Sequence, residues 1–216
     1  MTNLVLASAS PARLATLKSA GFSPHVEVSI VDEDRLLAAA GEVSPAEAVT
    51  LLAQAKAEEV ARRVDPDALV LGCDSMLAFD GKILGKPHDA ATARARWQHM
   101  RGREAVLHTG HCLLDNRRDG SGVGVTEPSK ALVKFARLSD AEIDAYVASG
   151  EPLNVAGAFT IDGLGGPFIE EIAGDPHGIV GVSLPLLRRM LSDCDVNVFD
   201  LWHRPGFVDT PQPTEP

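Results

Sequence analysis

The sequence predicts an α/β fold in which a mixed, twisted sheet is flanked by helices. Three observations predict it. First, an apolar run at residues 4–6 leads into a turn of small residues and the start of a helix. Second, residues 68–73 form an apolar run typical of a central strand. Third, residues 76–84 form a predicted hairpin around an Asp80-Gly81 turn. We expect two lobes, with a central cleft between the first strand–helix turn and the half that carries the hairpin.

The composition is that of an ordinary globular protein, and 216 residues suffice for a sizeable core. Hydrophobic residues make up 45% of the chain, charged residues make up 23%, and the formal net charge is −10. An acidic chain argues against a broad basic surface for nucleic acid. The sequence also shows neither a secretory signal pattern nor an apolar run long enough to cross a bilayer. We therefore expect a cytoplasmic protein that binds neither nucleic acid nor membrane.

Three cysteines, Cys73, Cys112 and Cys194, lie far apart and lack metal-ligand spacing, which predicts free thiols. One domain is expected over residues 1–202. The proline-rich residues 203–216 lack apolar periodicity and predict a disordered tail.

The turn after the first strand combines features of an anion site. Ser10 is a predicted helix N-cap with Pro11 at the first helical position, and Ser8 adds a second hydroxyl. Free backbone N–H groups and the positive end of the helix dipole favour an anion there. An ordinary capped helix is the alternative interpretation. Arg13 favours phosphate, because an arginine in the first turn opposes the helix dipole unless an anion meets it.

Alternation over residues 25–31 predicts a second strand, which runs into an acidic cluster at residues 32–34. That cluster is either a solvated turn or a divalent-metal site with Glu33 as the best ligand. A capping box at Ser44 begins a helix to about residue 64, and Lys56 lies in its apolar stripe. An inward lysine either extends to an edge or meets an anion.

The central strand is expected to end at Asp74-Ser75. A carboxylate beyond the carboxyl end of a strand is a candidate for metal binding or general-base catalysis, and an Asx turn is the alternative. Lys86 follows the hairpin between Gly85 and Pro87, which would hold it in one place.

The remaining elements complete the predicted sheet and its helices. They are a helix at 89–100 with Trp97 and Met100 in the core, strands at 104–114 and 125–137, a capped helix at 139–148 and a final amphipathic helix at 183–194. His108 and His111 should face opposite sides of their strand, which argues against a shared metal.

Together these motifs resemble the Maf family of nucleoside triphosphate pyrophosphatases, over about residues 3–195. The resemblance rests on the order and spacing of Leu-Ala-Ser-Ala-Ser-Pro-x-Arg at 6–13, Asp32-Glu33, Ala-x-Ala-Lys-Ala at 53–57, Gly72-Cys73-Asp74-Ser75, Gly85-Lys86-Pro87, Thr109-Gly110-His111, Ala156-Gly157-Ala158-Phe159 and the stretch 180–185. It implies an inosine-triphosphatase-like fold and hydrolysis between the α and β phosphates, giving a monophosphate and pyrophosphate. It also implies a divalent cation, Mg²⁺ or Mn²⁺, and a possible homodimer.

The resemblance also implies roles for individual residues. Asp74 corresponds to the proton acceptor of the family. The polar cluster of the family is matched by Arg13, Glu33, Lys56 and Lys86. The positions that discriminate the base fall at Ala12, Ser75 and Asp162. The best-known subgroup of the family has a pair of arginines where this chain has Ala12-Arg13. It has Asp-Thr where this chain has Asp74-Ser75, and Ile-Gln-Gly where this chain has Ile161-Asp162-Gly163. The base preference of that subgroup is therefore not carried over to this chain. An ionised Asp162 would suit N–H donors such as those of guanine.

The resulting hypothesis is a metal-dependent enzyme. The phosphates would be held by Ser8, Ser10, Arg13, Lys56 and Lys86, while Glu33 and Asp74 would carry the metal and activate the attacking water. One alternative is a nucleotide-sensing regulator of septum formation that acts through a protein partner. A second alternative is a phosphatase that releases single phosphates.

Overall fold

The computed structural model describes residues 2–64, 67–120, 122 and 124–202. Within these ranges a seven-stranded mixed sheet has the order β2-β1-β3-β5-β6-β7, with β4 paired to β3 outside that path. The strands are β1 (Asn3–Ala7), β2 (His25–Val26), β3 (Ala68–Phe79), β4 (Lys82–Leu84), β5 (Glu104–Asp115), β6 (Gly124–Phe135) and β7 (Ile169–Gly174). The helices are α1 (Pro11–Ser19), α2 (Glu33–Ala40), α3 (Pro45–Ala61), α4 (Ala90–Met100), α5 (Asp140–Ala148), α6 (Pro176–Val180) and α7 (Leu184–Asp193). The mixed α/β class predicted from the sequence is confirmed.

The long strand β3 carries two different neighbours along one edge. Strand β1 runs parallel to it as far as the pair Ala7–Gly72, and β4 runs antiparallel to it from Leu77 to Phe79. Strand β5 covers the opposite edge from Leu69 to Ala78. Among the described strands, none pairs with residues 73–76 on the β1 side. We call this unpaired stretch of β3, residues 73–76, the sheet gap.

Helix α3 lies directly on one face of the sheet because two glycines leave room for its backbone. A Cβ added at Gly72 would lie 2.1 Å from the carbonyl oxygen of Ala53, and one at Gly110 would lie 2.1 Å from that of Val49. Neither position has space for a larger residue, which is the use of a strand glycine where another backbone approaches. The close approach brings Lys56 of α3 next to the sheet gap.

The opposite face is covered by two separate hydrophobic clusters. One joins β1 and the first half of β3 to α1 and α7, through residues such as Leu6, Leu17 and Leu187. The other joins the second half of β3 to α4 and α5, around Trp97 and Ile143. Trp97 packs edge-on against three aromatic rings, Phe135, Tyr146 and Phe168. Ser75 lies between the clusters along β3, as the two-lobed prediction requires.

Several local predictions are confirmed. The capping boxes at Ser44 and Ser139 form, the Asp80-Gly81 turn joins β3 to β4, and all three cysteines are buried and free. Among the described residues, no helix combines the length and the apolar character needed to cross a membrane. The predicted tail, residues 203–216, lies outside the described residues.

The strand predicted at 25–31 is wrong beyond its first two residues. Pairing with β1 ends at Val26, and Ile30 is 78% exposed. The following segment is held by α3 instead, because Arg63 donates to the Val28 carbonyl at 2.9 Å and the Ile30 amide donates to Glu59 at 3.1 Å. Alternating residues therefore did not identify a strand here, since their backbone partners are side chains.

The acidic cluster at 32–34 is not a turn at a strand end. Asp32 is the N-cap of α2 and accepts from the Arg35 amide at 3.0 Å, so Glu33 is the first residue of a helix that the sequence analysis missed. Strand β3 also does not end at Asp74, because it continues to Phe79 with β5 paired along it.

Candidate active site

The turn between β1 and α1 has the geometry that the sequence predicts. Ser10 caps α1 by accepting from the Arg13 amide at 3.4 Å, with Pro11 at the first helical position. The Ser8 hydroxyl accepts from the Ser10 amide at 3.2 Å and is itself buried. Two serine hydroxyls and the N-terminus of a nine-residue helix therefore border the sheet gap.

The guanidinium of Arg13 is occupied by its own chain. It is buried, and it donates from Nε to the Gly181 carbonyl at 2.8 Å, from Nη1 to Ser8 Oγ at 2.7 Å and from Nη2 to Ser75 Oγ at 3.1 Å. Three of its five N–H donors are thus used inside the protein. All three acceptors are neutral oxygens, and no ion pair joins Arg13 to a carboxylate in the described part of the chain. Arg13 holds two hydroxyls in position while its positive charge stays uncancelled.

The hydroxyls next to Arg13 form a chain whose direction can be deduced. Thr109 Oγ1 donates to the Gly178 carbonyl at 2.8 Å, so it must accept from Ser75 Oγ, which lies 2.8 Å away. Ser75 in turn accepts from Arg13. Ser8 Oγ accepts both from Arg13 and from the Ser10 amide, which leaves its own proton available to a ligand.

On the other face of β3, Lys56 joins two carboxylates. Its Nζ lies 2.6 Å from Asp74 Oδ1 and 2.7 Å from Glu33 Oε1. Lys56 and Asp74 are both buried, whereas the Glu33 side chain is 49% exposed. Burial raises the pKa of the Asp74 carboxyl above its usual range, although the charges of Lys56 and Arg13 act to lower it. A carboxylate in this setting is a proton acceptor with raised basicity.

The two faces meet at the sheet gap because Asp74 and Ser75 are consecutive residues of one strand. Their side chains point to opposite faces, Asp74 toward α3 and Ser75 toward α1. Arg13 bonds Ser75, so the amino-terminal serine turn and Asp74 lie at one place.

Lys86 lies on the far side of the same gap, after the end of β4. Its side chain is exposed, but the backbone on either side is fixed. The Gly85 carbonyl accepts from the Gly157 amide at 3.2 Å and from Arg96 Nη1 at 2.5 Å, and Pro87 is buried. Lys86 therefore extends from an anchored segment, as the sequence predicts.

Comparison with known proteins adds a family to this geometry. A profile described as Maf-like protein matches residues 3–194. The chain belongs to the Maf-like family. A relative from Nocardia farcinica (strain IFM 10152), named nucleoside triphosphate pyrophosphatase, is 52% identical over 95% of this chain and 99% of its own length. A Streptomyces coelicolor relative with the same name is 52% identical over 92% of this chain and 94% of its own.

Among solved structures, a HAM1 protein from Coxiella burnetii covers 90% of this chain and 100% of its own, with 16% sequence identity and a TM-score of 0.42. The family assignment rests on the sequence match rather than on this likeness.

Two of the three positions expected to discriminate the base in this Maf-like chain are not joined to the polar groups at the gap. Ala12 lies in the first turn of α1 without a polar side chain. Asp162 is exposed and accepts from the Thr160 hydroxyl. Its loop is held by Glu151, which accepts from the amides of Leu164 and Gly165 at 2.8 Å each. No hydrogen bond or ion pair within the described residues joins Asp162 to the gap, whereas Ser75 lies there.

The sequence analysis missed the roles of Thr109 and His111. Thr109 closes the hydroxyl chain, and buried His111 accepts at Nε2 from the Ser183 amide, the N-cap of α7, at 2.8 Å. Burial lowers the pKa of His111 to about 4, so its ring is neutral. The Thr109-Gly110-His111 motif marks these two residues in the sequence. It does not reveal that their partners are Ser75 and the N-terminus of α7, because those partners lie far away along the chain.

The donor set fits a cation at a single place. The carboxylates of Glu33 and Asp74 converge on one point, which the Lys56 ammonium marks. Among the described residues, no group of three or more His, Cys, Asp or Glu side chains could hold a metal alone. Mg²⁺ is nevertheless commonly bound by one or two carboxylates of the protein when phosphate oxygens and water supply its other ligands.

Proposed function

We propose that this chain hydrolyses nucleoside triphosphates to a nucleoside monophosphate and pyrophosphate. The observation that carries the proposal is the convergence at one sheet gap of an uncancelled buried cation, Arg13, with a buried carboxylate, Asp74. The curated relatives described above, which are named nucleoside triphosphate pyrophosphatase, support the same reaction.

Binding begins with the charges around the gap. The serine turn offers the Ser8 hydroxyl proton and the amides at the start of α1 to phosphate oxygens. Lys86 adds a positive charge on the opposite side of the gap. Arg13 adds a second positive charge on the α1 face, where it also orients the hydroxyls of Ser8 and Ser75. This distribution favours a polyphosphate over a single phosphate, because its cationic groups lie on both sides of the gap.

Hydrolysis then needs a base at the reacting phosphorus. The Asp74 carboxylate accepts a proton from a water molecule, whose oxygen bonds to one of the two phosphorus atoms beside the α–β bridging oxygen. The bond from that phosphorus to the bridging oxygen breaks, and the electron pair stays on the bridging oxygen, which leaves as part of pyrophosphate after attack at the α phosphorus or as part of the nucleoside monophosphate after attack at the β phosphorus. Before the substrate binds, Lys56 stabilises ionised Asp74 through its 2.6 Å contact. A divalent cation, Mg²⁺ or Mn²⁺, held by Glu33 and Asp74 would neutralise phosphate charge and lower the pKa of bound water.

The substrate class includes non-standard or modified nucleotides in this proposal, which corresponds to a house-cleaning role. Ala12 and Asp162 replace the arginine and glutamine of the best-known subgroup, and Asp162 can accept from base N–H groups. The homodimer and the cytoplasmic location stay predictions, and sedimentation of the purified chain checks the first.

A substrate panel tests the proposal. The chain is incubated with Mg²⁺ or Mn²⁺ and the triphosphates of guanosine, methylated guanosine, uridine and thymidine, and pyrophosphate and monophosphate are measured. We expect equal amounts of the two products from at least one nucleotide, and release at least about a hundredfold slower from an Asp74→Asn preparation. Orthophosphate as the first product would support the phosphatase instead, and nucleotide binding without any release would support the regulator.

A further inference from the structure

Lys56 lies at the point where a metal would be held. Its ammonium contacts Asp74 at 2.6 Å and Glu33 at 2.7 Å, and these are the two carboxylates assigned to the cation. Lys56 is 8% exposed, and α3 cannot withdraw easily because its backbone is packed on Gly72 and Gly110. A metal bound by the same two oxygens must take the place of the ammonium.

The cluster on the α3 face carries one net negative charge, because Glu33 and Asp74 contribute two negative charges and Lys56 contributes one positive charge. A divalent cation arriving alone would make this partly buried cluster net positive, next to the displaced ammonium and close to the Arg13 cation, which pairs with neutral oxygens only. That arrangement is costly, because buried charges need compensating partners.

A triphosphate reverses this balance. It brings several negative charges and unshared oxygen electron pairs, so it can accept hydrogen bonds from the released ammonium and coordinate the metal at the same time. Mg²⁺ keeps several of its waters and commonly combines one or two carboxylates with substrate phosphates. The metal and the triphosphate therefore compensate each other only when both are present.

We propose that Lys56 holds the place of the metal in the nucleotide-free protein, and that the divalent cation enters together with the triphosphate. The proposal rests on the proposed function for the identity of the triphosphate. It predicts a site that selects the metal–nucleotide complex and that does not retain a bare metal ion between reactions.

Equilibrium dialysis of Mn²⁺ against the full chain tests this without turnover. The probes are Mn²⁺ alone and Mn²⁺ with α,β-methylene-GTP or α,β-methylene-UTP, which lack the scissile oxygen. In the wild-type protein we expect bare Mn²⁺ to bind at least a hundredfold more weakly than Mn²⁺ in the presence of a bound analogue. Equal retention of Mn²⁺ with and without either analogue would overturn the proposal.

A Lys56→Met variant supplies the second arm, since methionine keeps an unbranched buried side chain without the ammonium. We expect it to bind bare Mn²⁺ at least tenfold more tightly than the wild type does. Lys82→Met, at an exposed lysine beside the hairpin turn, is the matched control and should bind Mn²⁺ as the wild type does. Unchanged affinity for bare Mn²⁺ in folded Lys56→Met would contradict the proposal, and if that variant does not fold, the wild-type arm decides.

The two proposals fail separately. If no triphosphate on the panel yields pyrophosphate, the proposed reaction fails, but the affinity of the wild type and Lys56→Met for bare Mn²⁺ still measures what Lys56 does. If the wild type turns over triphosphates and also binds bare Mn²⁺ as tightly as Lys56→Met does, the role of Lys56 is wrong and the reaction stands.

Discussion

The two faces of β3 at the sheet gap treat charge in opposite ways. On the α3 face, the Lys56 cation is matched by the carboxylates of Glu33 and Asp74. On the α1 face, the Arg13 cation is matched by neutral oxygens of Ser8, Ser75 and a backbone carbonyl. A cluster of ion pairs can exchange one cation for another, whereas a cation without a carboxylate partner attracts an anion. In the proposed reaction, the α3 face would supply the proton acceptor, and the α1 face would attract and position the phosphates.

The largest expected effect comes from removing the base on the α3 face. Asp74→Asn keeps the shape of the side chain but cannot accept a proton from water, so kcat should fall by a factor of about 10² to 10⁴. Steady-state pyrophosphate release measures kcat, and circular dichroism checks the fold. Asp80→Asn, at the exposed hairpin turn, is the control and should keep its rate. A normal rate in Asp74→Asn would falsify the assignment.

Arg13 tests whether the α1 face needs charge, geometry or both. Arg13→Lys keeps the charge but cannot reach three acceptors with a fixed fork, so we expect kcat to fall about a hundredfold, or about 2.7 kcal/mol, with little change in KM. Arg13→Gln loses the charge as well and should also raise KM for the triphosphate.

The control for both variants is Lys18→Gln, an exposed change on the same helix. If Arg13→Lys has wild-type kcat, the fork is not needed. If Arg13→Gln has wild-type KM, the uncancelled charge is not what attracts the substrate.

The same contrast explains what the sequence could predict. Local patterns identified the Ser10 cap, the Lys56 stripe position and the Asp80-Gly81 turn, because each depends on neighbours within a few residues. The pair Asp74-Ser75 interrupts an apolar run with two polar residues, a pattern that predicts the end of a strand. Each residue has its own buried partners on its own face, so the strand continues.

The missed contacts are those between segments distant in sequence. The sequence indicates phosphate as the partner of Arg13, but Gly181, 168 residues away, accepts from its Nε. Ser75 meets Thr109 across 34 residues through the pairing of β3 with β5. Such partners depend on the register between strands, which periodicity within one strand does not determine.

His111 extends the comparison to pH, because its neutral ring lies on the face that already carries the Arg13 charge. Its pKa is about 4 in the folded protein against 6.5 as the ordinary value. As pH falls from 6.5 toward 4, the unfolded chain takes up a proton that the folded protein does not. Between pH 6.5 and pH 4, His111 therefore lowers the free energy of unfolding by about 1.4 kcal/mol for each unit of pH decrease. Above pH 6.5, His111 does not change the free energy of unfolding.

Urea unfolding at pH 7.5 and pH 5 measures this contribution, which should be about 2 kcal/mol in the wild type. His111→Asn keeps an acceptor for the Ser183 amide but does not titrate. Whatever its stability at pH 7.5, it should lose about 2 kcal/mol less than the wild type on going to pH 5. Equal losses in the two proteins would show that His111 is not held neutral.

The smallest expected effect separates the positioning role of Arg13 from its charge. Ser75→Ala removes one acceptor from Nη2 and one donor to Thr109, so the free energy of unfolding should fall by about 1 kcal/mol. Arg13 keeps its charge and its bonds to Ser8 and Gly181, so KM for the triphosphate should stay near the wild-type value while kcat falls a few-fold. Ser75→Thr retains the hydroxyl and should restore kcat. A raised KM in Ser75→Ala would instead mean that this hydroxyl itself binds the substrate.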